Sequence, residues 1–342
     1  KRGNMATKFA FMGFRHGHIQ DLYKRAIAHA DTEVVAACEE DEAARKALGK
    51  SGAVEITHST YAEMLEQVDC DVVAIGDYYT RRGPVAIQAL EAGKHVIADK
   101  PLCTELDEVD QIEALASKKG LRVGCMLTMR DHGQTIGVRN LIQAGEIGEV
   151  HAVSFGGQHP LLLGSRPGWY FEQGKHGGTI NDIAVHAIDC VPWMTGLEFE
   201  TVNAARCWNA FVPEFPHFKD GAQMMLTMGN GCGVLGDVSY FMPDRAGYSL
   251  PFYWRYTFWG RDGVIETATT TREIKIARKD SEKVETRPLP KDTSGGYLEA
   301  FLKDLREESE EGERNTAAVI KTARTVLKIQ KAADENGHDV VL

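Results

Sequence analysis

The sequence predicts an α/β protein in two parts, a parallel sheet with crossover helices followed by an α+β domain built on a large open, mainly antiparallel sheet. Two observations lead there. Between residues 8 and 125, short β-rich runs alternate with helical patterns, as βαβ units around a buried parallel sheet require. From residue 149 to about residue 285 the runs lengthen and are separated by glycine turns at 156–157, 229–233 and 260–263. Nothing repeats with the period of about 20 to 50 residues that a solenoid or propeller needs. The expected division is 5–126 and 127–342.

In chain order, strands are expected at 8–12, 34–38, 71–75, 95–98 and 121–125. The helix after Thr104 is the plainest: Thr104 caps it, Asp107 and Glu108 favour its positive end, and Gly120 stops it after Lys118 and Lys119. A helix follows at 134–144. Beyond the long strands, residues 286–296, rich in Pro and Gly, read as a loop leading to helices at 297–308 and 316–336. The acidic stretch 307–313 reads as a solvated helix end. Lys1–Asn4 reads as an expression remnant, so the protein is expected to begin at Met5. The apolar run 6–12 is too short for a secretion signal.

With 342 residues the chain is long enough for about two domains of roughly 150, each with its own core. Hydrophobic residues make up 43% and charged residues 26%, and the longest unbroken apolar run is residues 34–38. Neither a membrane-spanning helix nor global disorder fits. Against 49 Asp and Glu stand 39 Lys and Arg, a net charge of −10 that gives no field to draw nucleic acid or acidic lipid. Seven scattered cysteines, never spaced C-x-x-C, suggest neither disulfides nor zinc. A reducing cytoplasm and no metal are expected.

Four features carry chemistry. The turn Gly13-Phe14-Arg15-His16-Gly17-His18 lies between a strand and a helix, where a dinucleotide pyrophosphate meets helix N–H groups, or where a tight turn simply binds nothing. Glu39, ending the second strand, suits a ribose hydroxyl, although with Glu40 and Asp41 it also makes a good helix start. Lys100 ends a parallel strand at the ligand-binding edge of the sheet, as a catalytic group or a solvated charge. Asp182 and His186, four apart, would share a helix face, either as a carboxylate orienting an imidazole for proton transfer or as a cap and a core histidine.

Taken in order, these features resemble the Gfo/Idh/MocA family, named for glucose-fructose oxidoreductase, inositol dehydrogenase and a rhizopine catabolism protein. The resemblance runs almost throughout. Its carriers are the Gly13 loop, residues 89–96 (ALEAGKHV), Asp99-Lys100-Pro101, residues 145–150 (GEIGEV), Arg166-Pro167-Gly168-Trp169, and Gly177-Gly178 to Asp182-x-x-x-His186. It implies a Rossmann domain binding NAD, then a substrate-binding and oligomerising domain. Lys100 falls on the family's Glu-Lys-Pro lysine, and Asp182 and His186 on its helix Asp and His, as the catalytic set. Arg130 falls where many members place an arginine near substrate, and Arg166, Trp169 and Tyr170 on a loop that often borders the pocket.

Departures accompany the match. Asp99 replaces the usual Glu, and Asp77-Tyr78-Tyr79-Thr80-Arg81-Arg82 stands where members often have Thr-Pro-Asn-x-x-His. Gly13, Phe14, Arg15, His16, Glu39, Asp77, Tyr79, Arg82, Asp99 and Lys100 are the expected cofactor contacts. Glu39 favours NAD, while Arg15 and Arg45 leave NADP open. The implied activity is hydride transfer between a nicotinamide cofactor and a secondary alcohol of a sugar, inositol, related polyol or sugar acid. Alternatives are an enzyme with tightly held NAD running a transient oxidation with no net redox change, and a non-enzymatic NAD sensor. Arg82, Arg130 and Arg166 would suit an acidic substrate. A cis Lys100–Pro101 bond and a homodimer or homotetramer formed through the open sheet are also expected.

Overall fold

A computed structural model describes residues 6–310 and 312–342. The Lys1–Asn4 segment and the start at Met5 lie outside them. The chain divides into two compact units, one comprising the residues up to Met126 together with Tyr297–Ala323, the other Leu127–Gly296 together with Arg324–Leu342.

In the first unit five strands, β1 (Thr7–Met12), β2 (Thr32–Cys38), β3 (Val72–Ile75), β4 (His95–Ala98) and β5 (Val123–Cys125), form a parallel sheet in the order β2-β1-β3-β4-β5. Helices α1 (Ile19–Ala28), α2 (Glu42–Ser51), α3 (Tyr61–Gln67), α4 (Tyr79–Glu91) and α5 (Leu106–Lys119) connect them. β3 is buried along its whole length, which is why it reads as a continuous apolar run. In α1, Ile19, Leu22, Tyr23 and Ala26 make the buried stripe at helical spacing, and they join Phe9, Phe11 and Phe301 in one core.

Two local expectations shift. The cap of α5 is Glu105 rather than Thr104, because the Glu108 carboxylate reaches back to accept the N–H groups of both Thr104 (3.1 Å) and Glu105 (3.2 Å). β5 starts at Val123 instead of 121, since the N–H of Leu121 is drawn to the Ala116 carbonyl and that of Arg122 to His95 Nδ1.

The second unit holds a nine-stranded sheet. Its strands are β6 (Val150–Pro160), β7 (Phe199–Trp208), β8 (Gly221–Met228), β9 (Gly233–Met242), β10 (Trp254–Gly260), β11 (Gly263–Ala268), β12 (Glu273–Arg278), β13 (Glu285–Pro288) and β14 (His338–Val341). They run in the order β13-β12-β11-β10-β6-β9-β8-β7-β14, antiparallel except where β6 meets β9. Helices α6 (Gly133–Gln143) and α7 (Val185–Thr195) belong to this unit. α8 (Gly296–Leu305) and α9 (Thr316–Glu335) complete the chain.

β13 takes up part of the expected 286–296 loop, and β14 follows where no strand was expected. Both are edge strands, and Pro288 is tolerated on β13 because an edge leaves one N–H direction unused. The acidic stretch begins beyond α8, in a turn with Glu307 at φ +61°. Along β8, β9 and β10, Met224, Val234 and Phe258 point into the core while Met225, Leu235 and Trp259 are about half exposed on the other face. That face is concave, with a hollow of about 1300 Å³. Among the described residues all seven cysteines are free, and no helix is long and apolar enough to cross a membrane.

Candidate active site

In the first unit the site is built at the point where the strand order reverses, between the ends of β1 and β3. Gly13 leaves β1 with φ +79°, and a Cβ there would lie 2.8 Å from the Asp77 nitrogen. Only glycine lets the two strand ends approach so closely. The Gly13 N–H donates to the Cys38 carbonyl and that of His16 to the Gly76 carbonyl, so the loop is fastened to both neighbouring strands. His18, which caps α1, makes no side-chain cap bond, and the helix N-terminus opens beside this loop. A narrow glycine turn at a helix N-terminus is the cradle a dinucleotide pyrophosphate needs, so these residues fit a nicotinamide dinucleotide.

Glu39 is buried and accepts the N–H of Phe14 (2.6 Å) and of Asp41 (2.9 Å). Burial pushes its carboxyl above the usual range against the pull of those two donors. It ties the loop to the end of β2, where a ribose would lie in a fold of this kind. Arg15 pairs with Asp41 at 3.3 Å.

The departures at positions 79, 82 and 99 form one cluster. Arg82 is fully buried, and its Nε donates to the Asp77 carbonyl (2.8 Å). Nη1 donates to the carbonyls of Asp99 (2.9 Å), Lys100 and Pro101 (3.2 Å), and Nη2 to the Asp99 carboxylate (3.2 Å). One guanidinium therefore holds the entire Asp99-Lys100-Pro101 segment, whose Lys100–Pro101 bond is cis as expected. His16 Nδ1 also meets Asp99. The Tyr79 ring lies under Arg82 (4.6 Å) and Lys100 (5.8 Å). Burial opposes ionisation of Asp99, but His16 and Arg82 outweigh it and hold the carboxyl well below its ordinary value. Burial pushes His16 down to about 4. The consistent state is an ionised Asp99 paired with Arg82 and accepting a hydrogen bond from the Nδ1–H of neutral His16. His16, His18 and Asp99 place ligand atoms within 4.8 Å of one another, but Arg82 already supplies the positive charge beside Asp99 that a cation would bring.

In the second unit Asp182 lies on a π-helical turn, Ile180–Ala184, that runs into α7, where His186 sits. Such turns recur at functional sites. Its first N–H groups, from Ile180 and Asn181, go to Gln330 Oε1, and Gly178, at φ +99°, leaves room for that side chain. Tyr240 on β9 donates its hydroxyl to Asp182 Oδ2, and His176 Nε2 is 3.0 Å from the same hydroxyl. Burial and the Asp182 charge hold the Tyr240 phenol well above its usual value, so it stays a donor. The His186 ring stands edge-on to Trp254.

Arg166 is half-buried between the rings of Tyr170 (4.7 Å) and Tyr240 (5.1 Å), and Trp169 stacks on Tyr170. Asp182, His186, Arg166, Trp169 and Tyr170 all belong to this unit. Arg130 is there too, buried, and bound through Nε and Nη2 to both carboxylate oxygens of Asp189. Sequence reasoning missed Tyr240, His176 and Gln330. His176 had a visible signal, lying directly before Gly177-Gly178, whereas Tyr240 was one inward strand position among many.

Two family profiles match the chain. The one described as "Oxidoreductase family, NAD-binding Rossmann fold" covers residues 7–126, and the Gfo/Idh/MocA C-terminal domain covers 136–266. Levoglucosan dehydrogenase of Pseudarthrobacter phenanthrenivorans is 29% identical over 220 residues, 63% of this chain and 53% of that protein. A dTDP-3,4-didehydro-2,6-dideoxy-alpha-D-glucose 3-reductase of Streptomyces violaceoruber is 26% identical over 294 residues, 80% of each. The matches span about half the length of the first curated relatives. An inositol dehydrogenase homolog from Azotobacter vinelandii, crystallised with NAD+, shares the fold with a TM-score of 0.81 at 16% identity, over 100% of this chain and 99% of that one. The chain belongs to the Gfo/Idh/MocA family of oxidoreductases, and its first domain is that family's NAD-binding Rossmann domain.

Proposed function

We propose that this family member moves a hydride between a nicotinamide cofactor and a secondary alcohol of a sugar, inositol, related polyol or sugar acid. The observation that carries the reading is the buried Asp182 carboxylate, held by the Tyr240 hydroxyl that His176 Nε2 meets in turn, and followed four residues later by His186, amid aromatic rings. A prepared carboxylate and imidazole serve proton transfer from an alcohol, and a mere sensor has no use for them. The names of the curated relatives, a sugar dehydrogenase and a sugar reductase, support the same class.

Residues 5–126 would bind the cofactor, with Gly13, Phe14, Arg15 and His16 at the phosphates and Glu39 at the ribose. When bound, the nicotinamide supplies the hydride acceptor or donor. His186 takes the hydroxyl proton, Lys100 stabilises the alkoxide charge, and Asp182 keeps His186 and a neighbouring hydroxyl in place. Residues 127–342 would bind substrate and form a homodimer or homotetramer through the concave sheet face, in the cytoplasm. The test is to identify the nicotinamide that co-purifies and to screen sugars, inositols and sugar acids by absorbance of the reduced cofactor. Reduction of NAD+ by a member of that panel is expected, and none from any member would overturn the reading.

One observation favours the reading with permanently held cofactor: the rigid cluster of Arg82, Tyr79, His16 and Asp99 beside the cradle. It predicts nicotinamide that survives exhaustive dialysis.

A further inference from the structure

We infer that the substrate is a sugar acid whose carboxylate is held by Arg166. The inference rests on the reading of Asp182 and His186 as the substrate end of the second unit. Three arginines suited an acidic substrate in sequence, and the fold spends two of them. Arg82 is sealed in the first unit against Asp99 and four carbonyls, and Arg130 is neutralised by both oxygens of Asp189.

Arg166 differs in every respect. Its Nε and Nη2 donate to neutral acceptors, the carbonyls of Leu161 (2.9 Å) and Pro160 (2.7 Å), which fix the plane of the guanidinium. Tyr170 and Tyr240 flank it, so it cannot swing away. No carboxylate among the described residues pairs with it within 4.0 Å. Holding a cation there, half out of water and without an ion-pair partner, is costly unless an anion arrives. Its place is also informative: the Tyr240 ring it contacts carries the hydroxyl that binds Asp182.

A planar guanidinium with Nη1 and one Nη2 hydrogen uncommitted matches a carboxylate in two-pronged fashion. Asp182, which shares Tyr240 with Arg166, would repel a phosphate dianion more than a carboxylate monoanion. The rings of Tyr170, Tyr240 and Trp169 offer apolar faces to the C–H side of a pyranose. Orientation follows, because a carboxylate anchored at Arg166 directs a ring hydroxyl towards Asp182.

The test is calorimetric titration of the full chain with NADH in excess, so that an alcohol cannot be oxidised. Ligands are methyl glycosides of glucuronic, galacturonic and mannuronic acids, their neutral hexose counterparts, and the hexose 6-phosphates. At least one uronide should bind about 10- to 150-fold tighter than its neutral counterpart, the range of a charged hydrogen bond. Arg166→Gln should erase that advantage by weakening uronides far more than neutral sugars while changing NADH affinity less than about threefold, and Arg166→Lys should restore part of it. Should Arg166→Gln not fold, Arg166→Lys and Arg166→Met give the same comparison. Neutral sugars binding as tightly as every uronide, equal weakening of both classes by Arg166→Gln, or preference for the 6-phosphates would each overturn the inference. Turnover of wild type with NAD+ separates the two levels: oxidation of neutral sugars alone overturns the sugar acid and keeps the oxidoreductase, whereas uronide binding without oxidation of any sugar does the reverse.

Discussion

Replacing Arg82 with Met should weaken the way the first unit responds to acid. In the wild type His16 is pushed down to about 4 by burial, against an ordinary value of 6.5. Between those values the unfolded chain binds the proton and the folded chain does not, so stability falls as pH falls. The difference, at about 1.36 kcal/mol per pH unit, is about 3 kcal/mol at most. Asp99, held well below its ordinary value, adds a further loss only below about pH 4. Without Arg82, Asp99 keeps its burial and loses its cation, so the folded His16–Asp99 pair takes up a proton more readily than in the wild type. Stability should then fall less steeply as pH drops from 7 to 5. At pH 7 breaking this buried pair should cost about 3–5 kcal/mol, which at about 2–4 °C per kcal/mol lowers Tm by about 6–20 °C. Arg82→Met with Asp99→Asn should recover most of that, since no buried charge is then left alone. Calorimetric Tm from pH 5 to 8 on the three proteins is the assay. A wild-type pH slope retained in Arg82→Met, or a Tm loss under about 2 °C, would refute the coupling of Arg82, Asp99 and His16.

Tyr240→Phe removes the hydroxyl that Asp182 accepts, so about 1.5–3 kcal/mol of stability should go, read by denaturant unfolding. Lys100→Met and His186→Asn should lower kcat by about 10²- to 10³-fold and 10²- to 10⁴-fold with NAD affinity nearly unchanged; near-normal turnover in Lys100→Met would sink the proposed chemistry. Glu39→Gln should lose preference for NAD over NADP, and titration showing NADP at least as tight as NAD in wild type would remove the ribose role from Glu39. Leu235→Glu with Trp259→Glu on the concave face should convert an oligomer to monomer by light scattering, while a wild-type monomer at micromolar concentration would end the idea that this face pairs.

What the sequence determined by itself was whatever is decided by near neighbours. The first sheet was legible because β3 is covered on both faces and so must be an unbroken apolar run. Gly13 and Gly120 were legible because positive φ leaves few other choices. Asp99, Lys100, Asp182 and His186 were named from motif order. β13 and β14 were not, because edge strands bury too little to leave an alternating signature. Tertiary structure alone decided that Arg82 and Asp99, two separate departures in sequence, form one ion pair, and that of three arginines only Arg166 escapes a carboxylate. It also brought Tyr240 to Asp182 across 58 residues and Gln330 to the π-turn across 150. The physical reason is common to all of these. Backbone conformation is set by each residue and its neighbours, whereas the partner of a buried polar group is set by whichever distant side chain must satisfy it once water is excluded.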